Sequence, residues 1–332
     1  MRTAILLFST LLIAVAALWG VAQLPLATAA PVLSATPTSQ VIVFSANGQP
    51  SLMYSDEYGV FQLYLSTNID APLTDHANHT RHPRWSPDRT QIAYTTVAVG
   101  ETSPLLIATS LGESAVEVMD ADGGNPRRLT AGQGEYAPAW SPDGAQIAYA
   151  SLADEAVYVT NADGSGTPRL VRAGLFATSL DFAPDGERLL VTVREDNATR
   201  RVYLLSLDGS TLQPLLPGVT VWDAVWSPDG AQIAFATTDG ILLSDDEGAT
   251  ARPLPLTGGL EYMLQDGFSI DALAWSPDGT RLACVLYSAR LRVAISTPVP
   301  IERVGPQLAV VDVATGEIRV LTYGFTNADP DW

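Results

Sequence analysis

Apolar residues along this chain come in short runs, each set just behind a cluster of turn-forming residues. Gln91-Ile92-Ala93-Tyr94, Gln146-Ile147-Ala148-Tyr149, Arg188-Leu189-Leu190-Val191, Gln232-Ile233-Ala234-Phe235 and Arg281-Leu282-Ala283-Cys284 share one pattern. Each reads as a strand following a tight turn. The turns ahead of them are Trp140 to Gly144, Trp226 to Gly230 and Trp275 to Gly279, all Trp-Ser-Pro-Asp-Gly. Trp85-Ser86-Pro87-Asp88-Arg89 differs in its last residue, and Phe182-Ala183-Pro184-Asp185-Gly186 is a degenerate copy. Proline sets φ at the first central position, aspartate bonds to nearby amides, and glycine accepts positive φ at the exit. Each copy therefore predicts a hairpin, with its aromatic residue buried between neighbouring repeats.

The copies recur at intervals of 55, 42, 44 and 49 residues. Self-similarity of that period marks a radial β repeat. Farther along each repeat lies another β-rich stretch, such as Val116-Glu117-Val118-Met119, then a second turn, Asp120-Ala121-Asp122-Gly123-Gly124. Asn161-Ala162-Asp163-Gly164 and Asp208-Gly209 repeat that turn. Four strands joined in this way make a propeller blade. At the chain's end Pro330-Asp331-Trp332 aligns with Pro83-Arg84-Trp85, and Gln40-Val41-Ile42-Val43-Phe44 aligns with the apolar strands. The expected fold is an all-β, six-bladed propeller with four-stranded blades. One blade would be shared by the two ends, with its innermost strand from the C-terminus and the others from residues near 40 to 75.

The consensus Pro-x-Trp-Ser-Pro-Asp-Gly-x-x-Ile-Ala-Phe, with Asn/Asp-Ala-Asp-Gly and a terminal Arg-Leu-Thr, resembles the TolB-type β-propeller repeat. The resemblance covers residues 40 to 332 and implies a role in envelope assembly or transport. TolB itself carries an α/β domain ahead of its propeller, where this sequence has a short linker. Similar propellers precede the hydrolase domain of prolyl oligopeptidase-like enzymes, and no such domain follows here.

Met1-Arg2-Thr3 and the apolar run from Ala4 to Ala22 read as a signal peptide over residues 1–29, with Ala27-Thr28-Ala29 as the cleavage site, or else as a membrane anchor. Residues 30–39 are a Pro/Thr/Ser linker and residues 40–332 the propeller. Either reading puts the propeller outside the cytoplasm, periplasmic or secreted. The lone cysteine, Cys284, permits no internal disulfide and reads as a buried strand residue. With no lysine, 18 arginines and 36 acidic residues, the chain has a net charge of −18. That argues against phosphate-backbone binding, so nucleic acid is not expected as a partner. Many of the acids sit in the two turn sets, which should open on one acidic rim and serve solubility.

The opposite rim carries the variable loops, where function usually sits on a rigid scaffold. The residues four before each ring aromatic, Arg81, Tyr136, Thr178, Trp222, Asp271 and Ala328, should crowd round one mouth of the central channel. Trp222 lies outside both the export segment and the aromatic ring; it reads as a contact for a peptide or sugar, or as packing over the blade top. Tyr262 and Phe268, with Glu261 and Asp266, add to the same rim. Of two enlarged loops, about Thr96 to Glu113 and about Tyr287 to Gly305, the second brings Arg290, Arg292 and Arg303 together. They could recognise carboxylates, although surface pairing with nearby acids is the plainer reading.

His76, His79 and His82 fall in one loop, but its make-up is that of an ordinary polar connection, so no metal is expected. The turn at Asp120 lacks the later glutamate of a calcium loop. Nucleophile elbows, zinc-protease helices and phosphate loops are all missing, and no catalytic residue is assigned. Glu135, Glu261, Asp266 and Asp271 could form an acid–base pair for glycan chemistry, though nothing in their spacing demands it. The reading is thus a non-catalytic, monomeric, cofactor-free module binding a protein or peptide of the cell envelope. The rival is a glycan-binding or glycan-cleaving propeller using the same mouth.

Overall fold

The fold was taken from a computed structural model, which describes residues 41–47, 58–64, 69–74, 79–97, 113–196, 199–258, 268–288, 307–321 and 327–332. Residues 1–39, and with them the export-segment and linker expectations, lie outside this set.

The first strands are β1 (Val41–Asn47), β2 (Tyr58–Tyr64) and β3 (Ile69–Pro72). Five sheets of four consecutive strands follow. The first holds β4 (His79–Trp85), β5 (Gln91–Val97), β6 (Ser114–Asp120) and β7 (Arg127–Arg128), and the second β8 (Glu135–Trp140), β9 (Gln146–Ser151), β10 (Ala156–Asn161) and β11 (Arg169–Ala173). The third holds β12 (Ala177–Phe182), β13 (Arg188–Arg194), β14 (Arg200–Ser206) and β15 (Leu212–Leu215). The fourth holds β16 (Val221–Trp226), β17 (Ile233–Thr237), β18 (Gly240–Ser244) and β19 (Arg252–Pro253). The fifth holds β20 (Phe268–Trp275), β21 (Arg281–Ser288), β22 (Gln307–Asp312) and β23 (Ile318–Val320). All pairings within them are antiparallel.

The expectation of six blades is corrected to five blades that are continuous in sequence. The last strand, β24 (Asn327–Asp331), joins the first three in a separate four-stranded sheet of order β24-β1-β2-β3. No Ser-Pro-Asp-Gly hairpin links β24 to β1, so this sheet lacks the turn that defines the repeat. Its inner pairing consists of Val43 with Asp331, Ser45 with Ala328 and Ala46 with Asn327. The innermost strands β4, β8, β12, β16, β20 and β24 contact one another in that order, and β24 also contacts β4.

The hairpin turns work as the sequence suggests. Ser141 Oγ donates to Asp143 Oδ1 at 2.6 Å, while Asp143 Oδ1 accepts the Ala145 amide at 2.9 Å. The Gly144 amide closes the turn on the Ser141 carbonyl at 2.9 Å. The same pattern recurs at Ser227 with Asp229 and at Ser276 with Asp278. In the degenerate copy Ala183 offers no hydroxyl, and Asp185 instead pairs with Arg188 at 2.7 Å. Both turn sets lie on one rim, since Ala162 N donates to Ala145 O and Leu207 N to Glu187 O. Local hydrogen bonds hold Asp143, Asp229 and Asp278 below the usual carboxylate range, so this rim stays ionised.

The ring aromatics are buried: Trp140, Phe182, Trp226, Trp275 and Trp332 are all 9% exposed or less, and Trp85 is half-buried. They tie adjacent sheets together. Trp140 Nε1 donates to the Arg84 carbonyl at 3.0 Å, and Trp275 Nε1 to the Val225 carbonyl at 3.3 Å. Strand burial follows the two-sided pattern of stacked sheets: Ile92 to Val97, Ile147 to Ser151 and Leu189 to Val193 are buried throughout. Cys284 is fully buried among them, and burial pushes its thiol up to about 12.

Candidate functional site

Every innermost strand carries one extra residue a few positions before its ring aromatic. The register shifts between Arg81 and Arg84, Tyr136 and Ala139, Ala177 and Ser179, Val221 and Asp223, and Ile270 and Leu273. The same shift separates the Ala328 and Asp331 pairings of β24. These are β-bulges, which break the ladder and re-aim side chains. Proline fits there because no ladder amide is required, which accounts for Pro83, Pro138 and Pro330. Two non-glycine residues at the bulges, His82 and Ala137, adopt φ of 50° and 52°. Trp222 is itself the inserted residue of β16 and Thr178 that of β12.

Tyr136 is 6% exposed, its hydroxyl donates to the Ala177 carbonyl, and burial pushes it up to about 12. Its ring lies 6.2 Å from that of His82. Trp222 is half-buried against the core between the fourth and fifth blades, with no partner for its indole N–H. The Arg200 guanidinium stands 4.7 Å from its ring centroid. Asp271 accepts Ser269 Oγ at 2.9 Å, and its charge acts on Arg200. Arg200 and Arg194 both act electrostatically on Tyr136. Three expected positions, Tyr136, Trp222 and Asp271, thus share one electrostatic neighbourhood round Arg200. Arg81 is half-buried at the bulge of β4.

Other expected residues fall elsewhere. Tyr262, Arg290, Arg292 and Arg303 lie outside the described residues, as do Glu261 and Asp266. Phe268 opens β20, and only its backbone is described. Of the histidines, His76 lies outside the set, His79 is described only as backbone in β4, and His82 Nδ1 lies 3.3 Å from Thr95 Oγ1. Among the described residues no group of His, Cys, Asp or Glu is placed to hold a metal. Glu135 is buried, and its Oε2 accepts the Gly132 and Gln133 amides at 2.9 and 2.8 Å. That carboxylate shapes the loop entering β8.

Sequence reasoning missed a second group, the residues facing the ring axis. Asp181 Oδ2 accepts the Trp226 amide at 2.7 Å, and Asp331 Oδ2 accepts the Trp85 amide at 2.5 Å. Asp223 accepts Ser179 Oγ at 2.6 Å and the Ala224 and Leu273 amides, both at 2.9 Å. Burial raises all three acids, Asp181 to about 7, while the positive charge of Arg84 opposes the rise in each. Arg84, Asp181, Asp223 and Asp331 belong to four different innermost strands, so those strands surround one polar axis. The signal available in sequence was the acid or arginine directly before a ring aromatic, as in Asp181-Phe182 and Asp331-Trp332. Arg194 and Arg200 were also missed.

Residues 106–241 match the TolB beta propeller domain family. An uncharacterized protein of Agrobacterium fabrum is 26% identical over 185 residues, 53% of this chain and 63% of that protein. The chain therefore spans less than two thirds of that relative. The crystal structure of TolB from Acinetobacter baumannii superposes with a TM-score of 0.64 at 16% identity, covering 89% of this chain and 66% of that one. A putative TolB from Agrobacterium tumefaciens gives 0.59 at 17% identity, covering 86% and 90%. A chain of a nidogen/laminin complex gives 0.61 at 12% identity, covering 88% and 97%. At such identities these likenesses speak for the fold alone. Residues 106–241 thus carry TolB-type β-propeller repeats, and the rest of the described chain shares their four-stranded sheet architecture.

Proposed function

We propose that this chain is an exported propeller that binds a protein or peptide of the cell envelope at the bulged, loop-side end of its innermost strands. The observation that carries the reading is the cluster of Tyr136, Trp222, Asp271 and Arg200, drawn from strands of four blades. Bulges on a rigid sheet hold side chains in place at little conformational cost, which favours recognition over mobility. Trp222 is half-buried at the bulge of β16 and leaves part of a large apolar ring exposed, a residue type common in binding hot spots. On the opposite, acidic rim each turn aspartate uses its Oδ1 to accept local amides and hydroxyls of its own turn. The apolar run at residues 4 to 22 supports export, and the TolB-like repeats support an envelope partner. Roles in envelope assembly or transport belong to the same proposal.

The test is affinity capture from the native host's envelope with the full chain, comparing wild type with Trp222→Ala and Asp271→Asn. A defined protein retained by wild type and lost from the folded variants supports the reading. The same proteins retained by all three would overturn it.

A further inference from the structure

Arg194 and Arg200 are direct partners across the β13–β14 ladder. Like charges at directly opposed positions repel, and sequences ordinarily avoid them or supply a counter-charge. Here neither guanidinium forms an ion pair among the described residues, in a chain of net charge −18, although the charges of Asp271 and Asp223 act on Arg200. Each rests on an aromatic face instead: Arg194 lies 3.8 Å from the Phe176 ring centroid and Arg200 4.7 Å from that of Trp222. The Arg194 amide also donates to the Phe176 carbonyl at 2.9 Å, which pins the hairpin to the entry of β12. The nearby acids are committed elsewhere. Asp223 accepts three hydrogen bonds from Ser179, Ala224 and Leu273, Asp271 accepts Ser269 Oγ, and Glu195 takes Arg201 at 3.7 Å and the Tyr203 hydroxyl at 2.9 Å.

Two guanidiniums on directly opposed residues of the β13–β14 ladder, each stacked on an aromatic ring, offer paired donors suited to a planar carboxylate. We propose that Arg194 and Arg200 are a carboxylate-binding subsite, taking an acidic side chain or a C-terminal carboxylate of a bound peptide. This rests on the mouth being the binding end of the propeller. Phe176 and Trp222 orient the two arginines by cation–π contact and flank the ligand with apolar surface. An incoming carboxylate would also offset the like-charge opposition of Arg194 and Arg200.

The test is calorimetric titration of the purified full chain with short blocked peptides at low salt. One arm carries four glutamates with an amidated end, another four alanines with a free carboxylate, and a third four alanines with an amidated end. Saturable binding of either acidic arm, and not of the neutral one, is expected; which acidic arm binds identifies the source of the carboxylate. Arg194→Gln and Arg200→Gln should each weaken it about tenfold. Arg200→Lys should recover part of the loss, and Arg252→Gln, at an exposed arginine of β19, should bind as wild type does. The Gln variants should melt close to the wild-type temperature, since removing the like-charge pair offsets the lost aromatic stacking. Absence of saturable binding by wild type, or wild-type affinity in both Arg194→Gln and Arg200→Gln, would overturn the subsite. Capture of an envelope protein equally by wild type and both Gln variants would overturn it while leaving the partner reading intact. Peptide binding without any captured protein would do the reverse.

Discussion

Asp181 on β12 accepts the backbone amide of Trp226 on β16 at 2.7 Å, so an acid just before one ring aromatic caps the strand that ends in the next. Asp331 and Trp85 repeat the relationship. Innermost strands present unpaired amides to the channel, and an unmet buried amide is costly. A protonated or amide side chain satisfies Trp226 as well as a carboxylate does, without the burial penalty of charge.

The first prediction follows from that burial. Asp181 is pushed up to about 7 from an ordinary 3.8. The folded chain thus holds this proton more tightly than the unfolded one. The resulting stabilisation is fully present below about pH 4 and is lost as pH rises toward 7. Asp223 and Asp331 are raised as well and act in the same sense. The turn aspartates, held low, act in the opposite sense and only as pH falls below the ordinary carboxylate range. Asp181→Asn should therefore gain stability relative to wild type as pH goes from 4 to 7, read as the difference in melting temperature. A constant difference across that range would contradict the assignment.

Two glycines in the second turns and loops should respond unequally to alanine. Gly174 and Gly209 both hold φ of +75°, which is strained for any residue with a Cβ. A Cβ on Gly174 would meet open space, whereas one on Gly209 would collide with the Val171 carbonyl of the neighbouring blade. Gly174→Ala should cost about 1–2 kcal/mol from backbone strain alone. Gly209→Ala should cost clearly more, measured by denaturant unfolding of both variants.

The end of the chain should matter as much as its middle. Trp332 is 3% exposed, stacks under Arg281 at 4.5 Å, and its carbonyl accepts Arg89 from the first blade. Trp332→Ala should cost about 3–5 kcal/mol, the usual loss for a buried aromatic. Removing Arg281 alone by Arg281→Gln should cost far less, because the indole stays buried.

How much of this was legible in the sequence depended on whether a feature repeats. The Ser-Pro-Asp-Gly turns and ring aromatics recur with fixed chemistry, so their hairpins and burial could be read from Trp140, Trp226 and Trp275. The bulges were half visible, as Pro83, Pro138 and Pro330, because proline marks a strand position that needs no ladder amide. The sheet formed by the two ends lacks the hairpin, and the count of continuous blades came out one lower than expected. Arg194 and Arg200 carry no sequence signature, since only the β13–β14 register makes them neighbours. Their aromatic partners, Phe176 and Trp222, are 46 positions apart in the chain and meet the arginines only through the third and fourth blades.

The central claim is that partners meet the bulged end of the innermost strands and not the acidic turn rim. A photo-crosslinking residue placed at position 222, and separately at the exposed turn residue Asp163, decides between the two ends. The account predicts a discrete crosslinked partner in the native envelope from position 222 and none from position 163. Crosslinks from position 163 alone would contradict it.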